Sequence, residues 1–271
     1  MKKLTYFVLI LVLLTSVTVF GAWSPVLAEA TEARYADAPI LSTAASTQIY
    51  FTSKDIVEER DTAGGAPLFN YSAGYQNACG PIAGTAIVAF YDKYYPNLIP
   101  GWESYYPATG KYRGQGTTYV YNLFEEMYVL MQTNVKGDGV SESEFKTGLQ
   151  TYITNHGYSA SYTNVKSGSS FNYSACKNAI DNNKVIVLFT KPGTVYDLSE
   201  FSDHDTLLDY NITGNHIMFA YGYLQIKYYN STGLFHTETL LKVSTGRVAP
   251  SIAYYRLDST NLEAAYVVNV A

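Results

Sequence analysis

Residues 75–95 read YQNACGPIAGTAIVAFYDKYY. A polar turn gives way to a long apolar run, and Cys79 stands at the junction. Pro81 suits the first turn of a helix, where its missing N–H would find no partner anyway. Ile82, Ala86, Ala89 and Phe90 recur at helical spacing on one face, and Pro96 stops the run. The spacing therefore predicts a helix over 80–94 with Cys79 at its N-terminus. Free N–H groups and a partial positive charge gather there and favour a thiolate. Gly80 lets another backbone approach closely. Three readings of Cys79 stand open at this point: a nucleophile, half of a disulfide with Cys176, or a small buried hydrophobe.

Outward from this stretch the pattern is helical first and extended later. Residues 97–116 form an aromatic loop punctuated by Gly and Pro, in which Trp102, Tyr105, Tyr106 and Tyr112 are expected mainly to pack. Residues 117–132 read as a helix. A further helix starts at Ser141, whose spacing to Glu144 is that of a capping box. Its apolar face is Phe145, Leu149, Tyr152 and Ile153, and Gly157 closes it. Residues 161–165 read as a strand, 174–183 as a short helix and 184–190 as a buried strand. A long polar loop is expected over 191–214. Four stretches then read as strands: HIMFAYGYLQIKYYN, FHTETLLKVS, SIAYYRL and AAYVVNV. The order predicts an α+β chain, with an N-terminal helical part carrying the nucleophile helix and a C-terminal antiparallel sheet.

Before residue 75 the chain begins with Lys2-Lys3, an apolar stretch from Leu4 to Gly21, and small residues up to Ala28. That is the pattern of a secretory signal peptide over 1–28, so a secreted or extracytoplasmic protein is expected. Residues 29–47 read as a linker or short pro-segment, 48–57 as a strand, and 48–271 as one domain. Lys136-Gly137-Asp138-Gly139 reads as a turn.

Of the 271 residues 15% are charged and 27 are Tyr, and the formal net charge is −5. No basic surface for nucleic acid is implied, nor any membrane association once the signal is removed. Asp197, Glu200, Asp203, His204, Asp205 and Asp209 cluster in the polar loop, but their spacing fits no EF-hand. They read as a solvated cleft wall.

A thiol nucleophile needs a base, most often His. His156 ends a polar helix, His204 lies among the acidic residues and His236 is in a hairpin strand. His216 opens an apolar strand, where a ring is held by the core at the sheet's edge. It is the expected base.

With these two positions assigned, residues 75–84 resemble the NxCGPxA nucleophile segment of papain-like cysteine peptidases of the C39-like family. Residues 214–223, GNHIMFAYGY, are similar to that family's base segment. The resemblance spans about residues 48–250 and implies a papain-like fold, peptide-bond hydrolysis by a Cys79–His216 pair, a peptide or protein substrate, and no metal or organic cofactor. Two positions depart from the pattern. No Asn or Asp lies in 240–246 to orient the His ring, leaving Ser244 or Thr245, or a carboxylate of the acidic loop. The expected oxyanion-hole Gln is Gln76, only three residues before Cys79. The rival expectations are a catalytically silent peptide- or cell-wall-binding module on the same fold, and a peptidoglycan amidase or endopeptidase.

Overall fold

The structure, a computed structural model, describes residues 32–36, 40–70, 75–168, 170–257 and 260–271. The expected signal peptide lies outside the described residues.

In chain order the elements are β1 (Arg34–Tyr35), β2 (Ile40–Tyr50), β3 (Ser53–Asp61), α1 (Cys79–Asp92), β4 (Tyr105–Tyr106), β5 (Lys111–Tyr112), α2 (Thr118–Leu130), β6 (Val140–Ser141) and α3 (Glu142–Asn155). There follow β7 (Ala160–Asn164), β8 (Lys166–Ser167), β9 (Ser170–Phe171), α4 (Tyr173–Asp181), β10 (Ile186–Thr190), β11 (Gly193–Glu200), β12 (His204–Ile212), β13 (His216–Asn230), β14 (Gly233–Ser244), β15 (Ile252–Arg256) and β16 (Leu262–Val270). The chain is α+β. Among the described residues are four helices and one large antiparallel sheet of ten strands, ordered β2-β12-β11-β15-β14-β13-β10-β16-β7, with β3 paired to β13 beside this path.

Both faces of the central strands are covered, which is why β10 reads as an unbroken apolar run rather than an alternation. Val187 and Phe189 of β10, with Ile217, Phe219 and Tyr221 of β13, meet α1, α2 and α3. The intervening Ile186, Leu188, Met218 and Ala220 face α4 and β15. All 14 residues of α1 are buried, the signature of a helix in the middle of a layered core. The capping box of α3 forms as its sequence predicts: Ser141 Oγ accepts from Glu144 N, and the Glu144 carboxylate accepts from Ser141 N. Tyr112 packs on Phe90, with ring centroids 5.7 Å apart, and donates to the Phe90 carbonyl at 3.1 Å.

Three expectations are corrected. Residues 40–47 are not linker. They form most of β2, which pairs with β12 in register Ile49↔Asp205 and Leu41↔Asn211. The expected single strand over 48–57 is instead the end of β2, a turn at Phe51-Thr52 and the start of β3, so strands precede as well as follow the helices. The polar loop expected over 191–214 is the hairpin β11–β12, paired from Gly193↔Ile212 to Glu200↔Asp205. Its polar residues misled because this hairpin has one solvated face, while Val195, Leu207 and Ile212 point inward. Asp205 is fully buried between Lys54 Nζ at 2.7 Å and Tyr228 OH at 2.9 Å. Among the described residues no cluster of three His, Cys, Asp or Glu side chains is placed to hold a metal ion.

Candidate functional site

Cys79 is the first residue of α1 and is 2% exposed. The helix has no side-chain N-cap and no acidic residue in its first turn, so its positive end is not answered by a local carboxylate. The turn into it is tightly held. Asn77 adopts a left-handed φ of 58°, a conformation Asn tolerates, and its amide donates to Asn134 Oδ1 at 2.9 Å. Asn134 and Tyr128 both donate to the Gln76 carbonyl, at 3.1 and 3.0 Å. Gln76 itself is exposed. The hydrogen bonds it makes run through its main-chain carbonyl, which fixes the turn before Cys79. Gly80 is required for packing: a Cβ there would lie 2.5 Å from Val140 Cγ2 and 3.5 Å from Ile217 Cδ1. Its absence lets the start of α1 settle against β6 and β13.

His216 opens β13 and is fully buried. Its Nε2 lies 2.8 Å from the main-chain carbonyl of Thr245. A carbonyl only accepts, so Nε2 carries the hydrogen, and in the neutral ring Nδ1 is a lone-pair acceptor. That Nδ1 is buried with no hydrogen-bond partner among the described residues, which leaves its lone pair open to accept a proton or a hydrogen bond. Burial first, then the nearby Arg247 charge, lower the His216 pKa from 6.5 to about 4, against a smaller opposing effect of the Thr245 bond. The ring is therefore neutral at pH 7.

Of the groups expected to orient the ring, the one set against it is Thr245, through its main-chain carbonyl and not its hydroxyl. Its loop is closed on itself: Thr245 N donates to Ser251 O at 3.1 Å, Thr245 Oγ1 donates to Pro250 O, and Arg247 N donates to Thr245 Oγ1 at 3.1 Å. Gly246, at φ 70°, lets this loop pass beside α1, where a Cβ would stand 3.1 Å from Ile82 Cγ2.

The other histidines have local structural partners. His156 stacks on Tyr152 at 4.1 Å, His204 stacks on Phe201 at 4.5 Å and contacts Asp203, and His236 contacts Glu238. Cys79 and Cys176 are not joined in a disulfide, so that reading is set aside. Cys176 lies in the core on the α4 side, where burial pushes its pKa up to about 12. It is an inert thiol.

One residue ties Cys79 to the neighbourhood of His216. Ala36 N donates to the carbonyl of Asn215, the residue before His216, at 3.3 Å, and the Ala36 carbonyl accepts from Cys79 Sγ at 3.3 Å. Sequence reasoning missed Ala36, because nothing in a weakly patterned Ala- and Thr-rich stretch marks one residue for contact with a thiol 43 positions later. For Thr245 it pointed to the residue but not to the atom, a main-chain carbonyl that every residue type possesses. No family model, curated protein or solved structure matches this chain.

Proposed function

We propose that the chain is a secreted cysteine peptidase with a papain-like, C39-like arrangement, hydrolysing peptide bonds with Cys79 as nucleophile and His216 as base. The observation that carries this reading is the Cys79 thiol lying against a peptide carbonyl, that of Ala36, at 3.3 Å. In support, the residue before His216 accepts from the N–H of that same Ala36, and the His216 ring is fixed with one nitrogen unanswered.

In this reading Cys79 Sγ attacks a substrate carbonyl carbon as His216 Nδ1 takes the thiol proton. His216 then gives that proton to the leaving amine, and water releases the acyl group from sulfur in the second half of the cycle. Thr245 stands where such enzymes use a side-chain amide, keeping Nε2–H engaged so that Nδ1 faces its task as a lone pair. Because the ring is neutral at rest, the pair begins as thiol and imidazole and not as a preformed ion pair.

A second reading, a silent peptide-binding module, is favoured by the depressed His216 pKa and the covered thiol. Labelling decides between them. Cys79 is to be alkylated with iodoacetamide across pH, in the native chain and in His216→Ala, alongside a peptidyl electrophile. The peptidase reading expects the electrophile to modify Cys79 alone, and faster with His216 present. No difference between native and His216→Ala would leave the binding module. Release of amines from purified cell wall would redirect the assignment to an amidase.

A further inference from the structure

Residues 32–36, EARYA, run past the thiol and are held at four of their five residues. The Glu32 carboxylate accepts from Ser143 N at 2.9 Å and Ser143 Oγ at 2.6 Å, at the N-terminus of α3. The Arg34 guanidinium pairs with Glu144 at 3.0 Å and donates to the carbonyls of Gly137, Asp138 and Gly139 at 3.2, 3.3 and 2.8 Å. Tyr35 is 1% exposed, its ring edge-on to Phe189 at 5.1 Å and its hydroxyl donating to Glu263 at 2.8 Å. Ala36 then presents its carbonyl to Cys79.

The backbone is bound as well as the side chains. β1 adds to the edge of β6 in register Arg34↔Ser141 and Tyr35↔Val140, and the Asn215 side-chain amide donates to Arg34 O at 2.9 Å. Main-chain pairing for affinity with alternate side chains in separate pockets is how an added strand is recognised as a peptide. The turn 136–139 is shaped for it. Gly139 has φ 75°, and a Cβ there would overlap the Tyr35 carbonyl. At Gly137 a Cβ would press on Arg34 at 3.3 Å. The two glycines of that turn thus open a channel for this segment.

We infer that residues 32–36 occupy the acyl side of the cleft in the direction of a substrate, and that Cys79 cleaves the peptide bond following Ala36 within its own chain. This rests on the peptidase reading. With Sγ 3.3 Å from the carbonyl oxygen and a C=O bond of about 1.2 Å, the carbon under attack lies within about 4.5 Å of the sulfur. The step balances. Sγ bonds to the Ala36 carbonyl carbon, and the thiol proton passes by way of His216 to the amine of Asp37 as the C–N bond breaks. Water then hydrolyses the thioester, giving the Ala36 carboxylate and restoring the thiol. Three of these contacts define the substrate class: a peptide with a small residue before the scissile bond, an aromatic one before that and a basic one before the aromatic.

The test is the N-terminal mass of the purified full chain and of Cys79→Ala, each incubated at neutral pH, together with hydrolysis of the fluorogenic peptide Glu-Ala-Arg-Tyr-Ala-aminomethylcoumarin. The expected result is a native chain beginning at Asp37, a Cys79→Ala chain retaining residues 32–36, and peptide hydrolysis lowered at least tenfold when Arg and Tyr of the peptide are both replaced by Ala. A native chain that keeps residues 32–36, yet reacts at Cys79 with a peptidyl electrophile, overturns the inference and leaves the peptidase reading standing. Removal of the segment from Cys79→Ala as well overturns it too, since another enzyme then makes the cut. A Cys79 inert to the electrophile, even in a chain lacking residues 32–36, sinks the peptidase reading and the inference with it.

Discussion

The buried, neutral ring of His216 makes a quantitative claim about acid stability. In an unfolded chain the ring titrates at its ordinary 6.5, and in the native protein at about 4. Above pH 6.5 it is neutral in both states and contributes no pH dependence. As pH falls below that value the unfolded chain takes up a proton that the native protein refuses, and native stability declines. Near pH 4 the native ring also protonates and the decline ends. Each pH unit in the window is worth about 1.4 kcal/mol, so the whole effect is about 3 kcal/mol, a sizeable share of the roughly 5–15 kcal/mol that holds a domain together. Urea unfolding followed by tryptophan fluorescence, at intervals from about pH 7.5 to about pH 4, is to be compared with the same series for His216→Gln, which has no ring to protonate. Asp92, whose pKa burial raises, works in the opposite direction, but it is common to both proteins and drops out of the difference. The native-minus-variant stability is expected to fall by about 3 kcal/mol across the window. A flat difference would refute the buried neutral ring. A difference that grows as pH falls would mean a native imidazolium, and so a preformed ion pair with Cys79.

Gly80→Ala drives a methyl into Val140 and is expected to lower stability by about 1–3 kcal/mol, read from the urea midpoint, while slowing Cys79 alkylation through displacement of the first turn. Asp205→Ala leaves Lys54 and Tyr228 without their shared carboxylate and should cost about 3–5 kcal/mol, with no change in Cys79 reactivity once the protein is folded. Cys176→Ala is expected to leave the alkylation rate and its pH profile unaltered, because that thiol is buried and protonated. Loss of more than half of the reactivity would place Cys176 in the site after all.

The sequence was most legible where one physical signal acted alone. The Ser141–Glu144 box announced α3, because both partners lie within one turn and need nothing from the rest of the chain. The apolar run after Cys79 announced α1, and the helix-then-strand order announced the α+β class. Legibility failed where pairing is distant. Nothing local tells residues 40–47 that β12 will lie beside them, and small, weakly patterned residues at an edge read as linker. The β11–β12 hairpin was hidden by its wet face. At the site, Cys79 and His216 were chosen from side-chain chemistry, and the structure places them on the elements expected. The parts that hold them are the carbonyls of Gln76, Thr245 and Asn215 and the space left by Gly80, Gly139 and Gly246. Carbonyls carry no residue signature, and a glycine states only that something comes close, not what.

The position of β16 has a consequence for how the protein is made. It lies between β10 and β7, with Val267 beside Ile186 and Thr163, yet it is synthesised after both. Tyr91 of α1 donates to the Val268 carbonyl, and Tyr95 to that of Val270 at 2.5 Å. A nascent chain can therefore form its helices and most of its ladder, but the β10 and β7 edges stay open, and α1 lacks these two tyrosine bonds, until β16 emerges. Folding waits for that strand, and with pairings spanning much of the chain it is expected to be slow. The thiol-bearing helix gains these two anchors only after residues 262–270 have been made. A chain cut short before Leu262 would expose the β10 and β7 edges to association with other chains instead of yielding a smaller version of the same domain.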